Sequence, residues 1–232
     1  MISVIIPPYN EEAHISATIK RLWQYDTSNL IKEIIVADGG STDNTVAIAK
    51  SEGVKIIISP KKGRSAQMNY GVLHAEREIL YFLHADTMPP KGFTEDIAGA
   101  IQRGYNAGCY MLSFDHNHWF LKANCWFTRF DVNAFRYGDL SLFVVKEKFE
   151  LSGGYCEKHI VMEDFDLIRR LKKTCRFAII NKPVLTSARK YVENGFYKTQ
   201  GIFYLIFFMY RLGFPQQKRV ATYRKLIRQD KL

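Results

Sequence analysis

The sequence contains no glycine-rich loop ending in lysine and no G-x-G-x-x-G element. Their absence argues against P-loop hydrolysis and against dinucleotide binding. Cysteine is scarce. Cys109, Cys125, Cys156 and Cys175 are scattered without paired spacing, which argues against a disulfide framework or zinc site and for a reduced, cytosolic protein. The start, Met1 to Pro7, lacks the charged-then-apolar pattern of a secretory signal. The apolar run 202–210 has nine residues, well short of the roughly 20 that a spanning helix needs. Acids are rare toward the end: from Arg189 onward only Glu193 and Asp230 stand against ten Lys/Arg, a surplus of eight. The preceding residues carry just the other two charges of the net +10. The basicity therefore belongs to a C-terminal tail suited to an anionic surface, lipid headgroups or nucleic acid.

What is present is a chain with core-forming capacity, 47% hydrophobic and 14% aromatic over 232 residues, which excludes extensive disorder. Residues 3–6 form a short β-branched run stopped by Pro7-Pro8. A helix is expected next, with Asn10 as N-cap, Glu11 and Glu12 in its first turn, and Ile15, Ile19, Leu22 and Trp23 on its apolar face. Residues 33–37 read as a second strand, ending at Asp38-Gly39-Gly40. Ser41 or Thr42 is expected to cap a helix that stops at Gly53. A third strand at 55–59 and a basic loop containing Arg64 lead into a helix through Asn69 and Leu73. A fourth strand, 79–83, is almost wholly apolar, as in a strand buried on both faces of a parallel sheet. Alternating strands and helices with short connections predict a mostly parallel α/β sheet with helices on both faces.

Beyond Gly92 the pattern loosens. A helix near 93–101 and strands at 108–114, 142–145, 177–180 and 184–186 are expected, with helices at 146–151 and from Glu163 onward. Residues 119–135 read as an aromatic-rich helix with Phe120, Ala123, Phe127 and Phe130 near one face, a stripe that core packing explains better than an aromatic sugar platform does.

Asp38, Asp86 and Asp164 stand at strand mouths or a helix start. Each alone has an ordinary reading as a capping group; together, on a parallel sheet, they suggest one acidic crevice at the carboxyl ends of the strands. Asp86, in His84-Ala85-Asp86, stands where a divalent metal bridging phosphates could sit. Asp38 could accept hydrogen bonds from a base or ribose, and Arg64 could hold a phosphate or a base edge.

Pro7-Pro8-Tyr9-Asn10-Glu11-Glu12, Asp38-Gly39-Gly40-Ser41-Thr42-Asp43, His84-Ala85-Asp86, Gly153-Gly154-Tyr155 and Glu163-Asp164 occur in the order seen in family 2 glycosyltransferases. The chain resembles that family from Ile2 to about Tyr191, which implies the nucleotide-diphospho-sugar transferase (GT-A) fold. Tyr137-Gly138-Asp139 and Met162-Glu163-Asp164 resemble a bacterial subgroup of small enzymes, some associated with arsenosugar biosynthesis. The resemblance implies a GT-A domain over 1–191 and a basic, aromatic-rich helical tail over 192–232. It implies Pro7, Tyr9 and Glu11 around the nucleotide, Asp38 on the base, Arg64 near base or phosphate, and His84, Ala85 and Asp86 at the diphosphate. Asp86 matches the last carboxylate of the family's Asp-x-Asp motif and is the expected ligand of Mg²⁺ or Mn²⁺. His84 replaces the first acid, leaving Asp86 as the main protein ligand. Asp164 matches the catalytic base, with Glu163 beside it. Ser187 to Tyr191 falls where many members carry a basic-aromatic motif near the diphosphate; Arg189 could reach phosphate there, and the favoured reading is a solvated basic residue.

The implied activity is inverting, metal-dependent transfer from a UDP- or GDP-linked sugar to an acceptor hydroxyl. The alternatives are a nucleotidyltransferase acting on sugar phosphates and a basic nucleic-acid-binding protein. The first usually has a Gly-rich, Arg/Lys-containing N-terminal loop, absent here; the second has no binding motif to support it, so no nucleic-acid partner is expected. The tail is compatible with three roles: a packed helix, a homodimer contact, or an interfacial segment on an anionic membrane. The last would make the protein cytoplasmic and peripheral at the inner face, near a lipid-linked acceptor.

Overall fold

A computed structural model describes residues 1–130 and 141–228; the expected subgroup stretch at 137–139 lies outside them. Eight strands form one sheet in the order β3-β2-β1-β4-β7-β6-β8-β5. They are β1 (Ile2–Ile6), β2 (Ile31–Asp38), β3 (Lys55–Ile58), β4 (Ile79–Phe82), β5 (Thr87–Met88), β6 (Ala107–Phe114), β7 (Leu142–Val145) and β8 (Phe177–Thr186). The pairs β1–β2, β2–β3, β1–β4 and β6–β8 are parallel, and β7 runs antiparallel to both β4 and β6. β5 pairs antiparallel with the end of β8. The two runs expected at 177–180 and 184–186 are one strand. A register shift against β6 falls between Ile180 and Pro183, where proline lacks the N–H that a regular ladder requires.

Alternating side chains of the central strands feed two cores, so the strands read as apolar throughout. On one face Val4, Ile6 and Tyr81 pack with Ile15, Ile19 and Leu22 of α1 (Ile15–Tyr25) and Phe93 and Ile97 of α4 (Phe93–Gln102). On the other, Ile5, Leu80 and Phe82 meet Met68 and Val72 of α3 (Arg64–Leu73) and Leu167 and Leu171 of α7 (Glu163–Thr174). The short helix α6 (Lys146–Leu151) adds Phe149 to that second face.

Several helix starts differ from expectation. α1 begins at Ile15, with His14 as N-cap and no acid in its first turn, and Trp23 is 43% exposed. α2 spans Thr45–Ser51 with Asn44 as N-cap. The reason is shared: the polar side chains of the two loops bind each other. Asn10 has φ +52°, and its N–H donates to Ser41 Oγ at 2.9 Å while its Oδ1 accepts from the Thr42 N–H at 2.8 Å. The Glu11 N–H donates to Thr45 Oγ1, and Glu12 Oε2 accepts from the Asn44 N–H. Residues that looked like local caps instead clamp the loop after β1 to the loop after β2.

α5 covers Trp119–Phe127. Its buried face is Leu121 and Cys125, continued by Thr128 in the following turn. The expected core stripe is offset from it: Phe120 and Ala123 are half-buried, and Phe127 and Phe130 are 41% and 42% exposed. The last segment forms α8 (Arg189–Asn194), α9 (Phe196–Arg211) and α10 (Gln216–Leu226). Ile202, Ile206 and Met209 of the nine-residue run pack on Val220, Tyr223, Ile227 and Val161, while Leu205 and Phe208 face outward. Arg219 is not one of the solvated tail cations. It is 5% exposed, its guanidinium lies 4.9 Å over the Tyr210 ring, and Nη2 is 3.4 Å from His159 Nδ1. Among the described residues no helix is long and apolar enough to cross a membrane.

Candidate active site

Strand order reverses at β1, with β2 and β3 on one side and β4 on the other. The loops leaving β1 and β4 therefore diverge and open a crevice, the usual ligand position in an open parallel sheet. Pro7, Tyr9, Glu11, Arg64, His84, Ala85 and Asp86 all line one cavity of about 250 Å³ there. Asp38, expected on the base, does not line this cavity: it is 1% exposed, next to Gly39, which does. Its Oδ2 accepts from the Gly40 and Ser41 N–H groups at 2.7 and 2.8 Å, and Oδ1 accepts from Ser41 Oγ. Gln67, which no motif marked, fixes both sides of the floor: its Nε2 donates to the carbonyls of Pro8 and Ala37. A Cβ on Gly39 would lie 2.9 Å from the Gln67 side chain, so the glycine permits this close approach.

Arg189 departs most from expectation. It is not a solvated surface cation but an ion-paired wall of the crevice. Its Nη2 donates to Glu11 Oε1 at 2.6 Å and lies 3.1 Å from Asp86 Oδ2, while Nη1 donates to Glu11 Oε2 at 3.1 Å. One guanidinium thus bridges two largely buried carboxylates, a bidentate geometry that lysine could not reproduce. Lys62, Arg64 and Lys190 also line the crevice, giving four cations where a diphosphate would need them.

Glu163 and Asp164 begin α7, 5% and 4% exposed. The residue before them, Met162, has φ +69°. This strained geometry at a non-glycine turns the chain sharply into the helix, whose first two carboxylates meet side chains of the crevice from its edge. Glu163 Oε1 accepts from Arg64 Nη1 at 3.1 Å, and Asp164 Oδ2 lies 3.9 Å from His84 Nε2. Burial, with the Asp164 and Glu163 charges beside it, holds the Tyr155 phenol well above its ordinary pKa. It therefore stays neutral next to them.

A second cavity of about 160 Å³ adjoins the first, sharing Arg64, Ile160, Ser187 and Lys190 with it. Asp164 lines this second space, and His84 lines the first. The far walls come from β6 (Leu112, Phe114), α5 (Asn124, Cys125, Thr128), α9 (Gln200, Phe203, Ile206) and α10 (Tyr223). Burial pushes the Cys125 thiol up to about 12, against a hydrogen bond with the Phe114 backbone, so it is a neutral wall group and no nucleophile. Sequence reading missed this cavity altogether. Its walls combine segments far apart in the chain, and none of them carries a motif.

Among the described residues, no group of three or more His, Cys, Asp or Glu side chains could hold a metal unaided. Glu11 and Asp86 nevertheless hold a cationic group between them. A hard divalent ion that takes one or two protein carboxylates and completes its shell with phosphate oxygens and water fits that arrangement.

The family model for "Glycosyl transferase family 2" matches residues 3–153. A Methanococcus voltae dolichyl N-acetyl-alpha-D-glucosaminyl phosphate 3-beta-D-2,3-diacetamido-2,3-dideoxy-beta-D-glucuronosyltransferase is 28% identical over 109 residues, 44% of this chain and 34% of the relative. An Aeromonas hydrophila undecaprenyl-phosphate 4-deoxy-4-formamido-L-arabinose transferase is 28% identical over 131 residues, 53% and 40% respectively. The chain thus spans well under half the length of these relatives. Among solved structures, S. aureus TarS 1-349 in complex with UDP-GlcNAc superposes with TM-score 0.69 at 18% identity, covering 81% of this chain and 58% of that one. The mannosyltransferase PcManGT of Pyrobaculum calidifontis, in complex with GDP-Man and Mn²⁺, gives 0.67 at 16%, covering 88% and 61%. These likenesses show the GT-A fold. With the family model matching most of the chain, from the first strand to Gly153, this protein belongs to glycosyl transferase family 2.

Proposed function

We propose that the protein moves a sugar from a UDP- or GDP-linked donor to an acceptor hydroxyl, with inversion and with the help of Mg²⁺ or Mn²⁺. The observation that carries this reading is the junction of two cavities at Asp164 and His84. The crevice cavity suits a nucleotide diphosphate, with Pro7, Tyr9 and Glu11 at one wall, Asp38 shaping the floor through its turn, and four cations nearby. The neighbour complexes with UDP-GlcNAc and with GDP-Man and Mn²⁺ support a nucleotide-sugar donor.

Asp86, with Glu11 beside it, would hold the metal, which when bound offsets charge on the leaving diphosphate. Arg189 then leaves Asp86 and turns its guanidinium to the diphosphate, exchanging one charge-assisted contact for another. The acceptor hydroxyl enters from the second cavity. As its oxygen bonds to the anomeric carbon, the bond from that carbon to the diphosphate oxygen breaks, and the hydroxyl proton passes to Asp164. One base suffices for such a single displacement. Glu163, paired with Arg64, orients the donor side of the site.

Residues 1–191 form the catalytic unit in this reading, and from the segment after them Gln200, Phe203, Ile206 and Tyr223 complete the acceptor cavity. The apolar walls of that cavity, and relatives named for dolichyl and undecaprenyl carriers, support a lipid-linked acceptor and a peripheral position at the inner face of a membrane. Calorimetric titration of UDP and GDP, with Mn²⁺ and with chelator, tests the donor site; binding of at least one is expected to be strongest with metal. Arg189→Met adds a directional check. Freed of their resident cation, Glu11 and Asp86 should bind Mn²⁺ without nucleotide at least tenfold more tightly than in the wild type. UDP–Mn²⁺ affinity should meanwhile fall by about tenfold, as for one lost charge-assisted contact. Unchanged Mn²⁺ affinity in this variant would show that the carboxylates do not share the cation position.

A further inference from the structure

We propose that the outer face of α5, with the start of α9, is a docking surface for an anionic lipid bilayer. α5 has two distinct stripes. Asn124, Cys125 and Thr128 line the second cavity, while Trp119, Lys122, Trp126 and Arg129 recur at i, i+3, i+7 and i+10 on the opposite side. Trp119 is 65% and Trp126 46% exposed, and Lys122 and Arg129 are exposed between and beyond them. The Arg129 guanidinium lies 4.8 Å over the Trp126 ring, which holds cation and aromatic at one level. Tyr197, at the start of α9, is 59% exposed, with its ring 6.4 Å from Trp119 and 4.8 Å from Phe120; Lys198 beside it is exposed too.

Two tryptophans on a stripe with two cations and no acid match the headgroup level of a bilayer. There amphipathic rings rest at the boundary and each cation is drawn to anionic lipid. A nine-residue helix lies in that plane and does not cross it. The surface differs from the nine-residue run of α9, whose inner half packs on α10. It also brings the cavity wall within one helix diameter of the lipid. That consequence rests on the cavity being the acceptor site; the surface itself does not.

The test uses the full chain and vesicles, without turnover. Sedimentation with phosphatidylglycerol-containing vesicles should show binding that weakens with salt, and pure phosphatidylcholine should bind at least tenfold less. Trp119→Ser with Trp126→Ser, and separately Lys122→Gln with Arg129→Gln, should each lower binding tenfold or more, the latter from about fivefold per cation. Leu73→Ser, a 77% exposed leucine at the end of α3, should change nothing. Circular dichroism and an unchanged thermal midpoint confirm folding of each variant. The sequence has three tryptophans, so Trp23→Phe leaves only the two on α5 to report. Quenching of their emission by brominated lipid decides the matter even where a double variant is unstable. Equal binding to both vesicle types, wild-type binding by the double tryptophan variant, or no bromolipid quenching would overturn the proposal. Absence of vesicle binding, with self-association that the same variants abolish, would assign the face to a second copy of this chain instead. Vesicle binding without transfer to any lipid acceptor would leave the surface standing and remove only the acceptor reading.

Discussion

Asp164→Asn is expected to lower turnover by about 10²–10⁴-fold, the usual range for loss of a general base, while UDP affinity stays within a few-fold. The carboxamide preserves the shape of the side chain at the start of α7 and cannot accept the acceptor's proton. The geometry argues against rescue by either of two neighbours. Glu163 is held by Arg64 at 3.1 Å, so it is unsuited to turn toward the hydroxyl. His84, whose Nε2 is 3.9 Å from Asp164 Oδ2, lines the donor cavity and not the acceptor cavity. Because Asp164 stands outside the nucleotide crevice, the effect should fall on kcat and leave donor binding nearly intact. Steady-state kinetics paired with calorimetry separates the two quantities. Near-wild-type turnover would remove Asp164 from the role of base.

The second large effect is expected from Asp86→Ala, which should abolish the metal-dependent part of nucleotide binding and leave the fold in place. Asp86 ends the loop after β4, outside the sheet ladder, and its carboxylate pairs with Arg189 at 3.1 Å. Its removal therefore takes away the proposed metal ligand without opening a core cavity. Glu11 keeps its bidentate pair with Arg189, so no charge is stranded. Titration of UDP or GDP should then give the same affinity with Mn²⁺ as with chelator, at an unchanged thermal midpoint. A metal-dependent increment that survives would place the ion elsewhere.

How much of this was legible in the sequence follows from the range of the interactions. The central strands were readable because β1 and β4 are buried on both faces and hence, Ser3 apart, hydrophobic along their length. Seven of the expected nucleotide-sugar residues converge on one cavity because they sit at strand ends at a single switch point. Helix starts were misplaced at Asn10 and at Ser41-Thr42, where side-chain oxygens accept from backbone N–H groups 31 or 32 residues away and local capping rules do not apply. The aromatic helix could not be phased. Phe120, Ala123, Phe127 and Phe130 make as good an apolar stripe as Leu121 and Cys125, and the choice depends on β6 and α9. Arg189 and Glu11 are 178 residues apart, and Arg219 lies among neighbouring lysines and arginines that are exposed. Charge alone could not tell the ion-paired Arg189 and the buried Arg219 from the solvated cations.

The most direct measurement is a proton NMR time course of purified protein with a panel of UDP- and GDP-sugars, with Mn²⁺, Mg²⁺ or chelator, and water as default acceptor. Consumption of at least one donor is expected, dependent on the metal, slowed by Asp164→Asn, and with the first-formed anomer inverted relative to the donor. Consumption that ignores the metal, a first product with retained configuration, or no consumption of any donor would contradict a metal-assisted single displacement with Asp164 as its base.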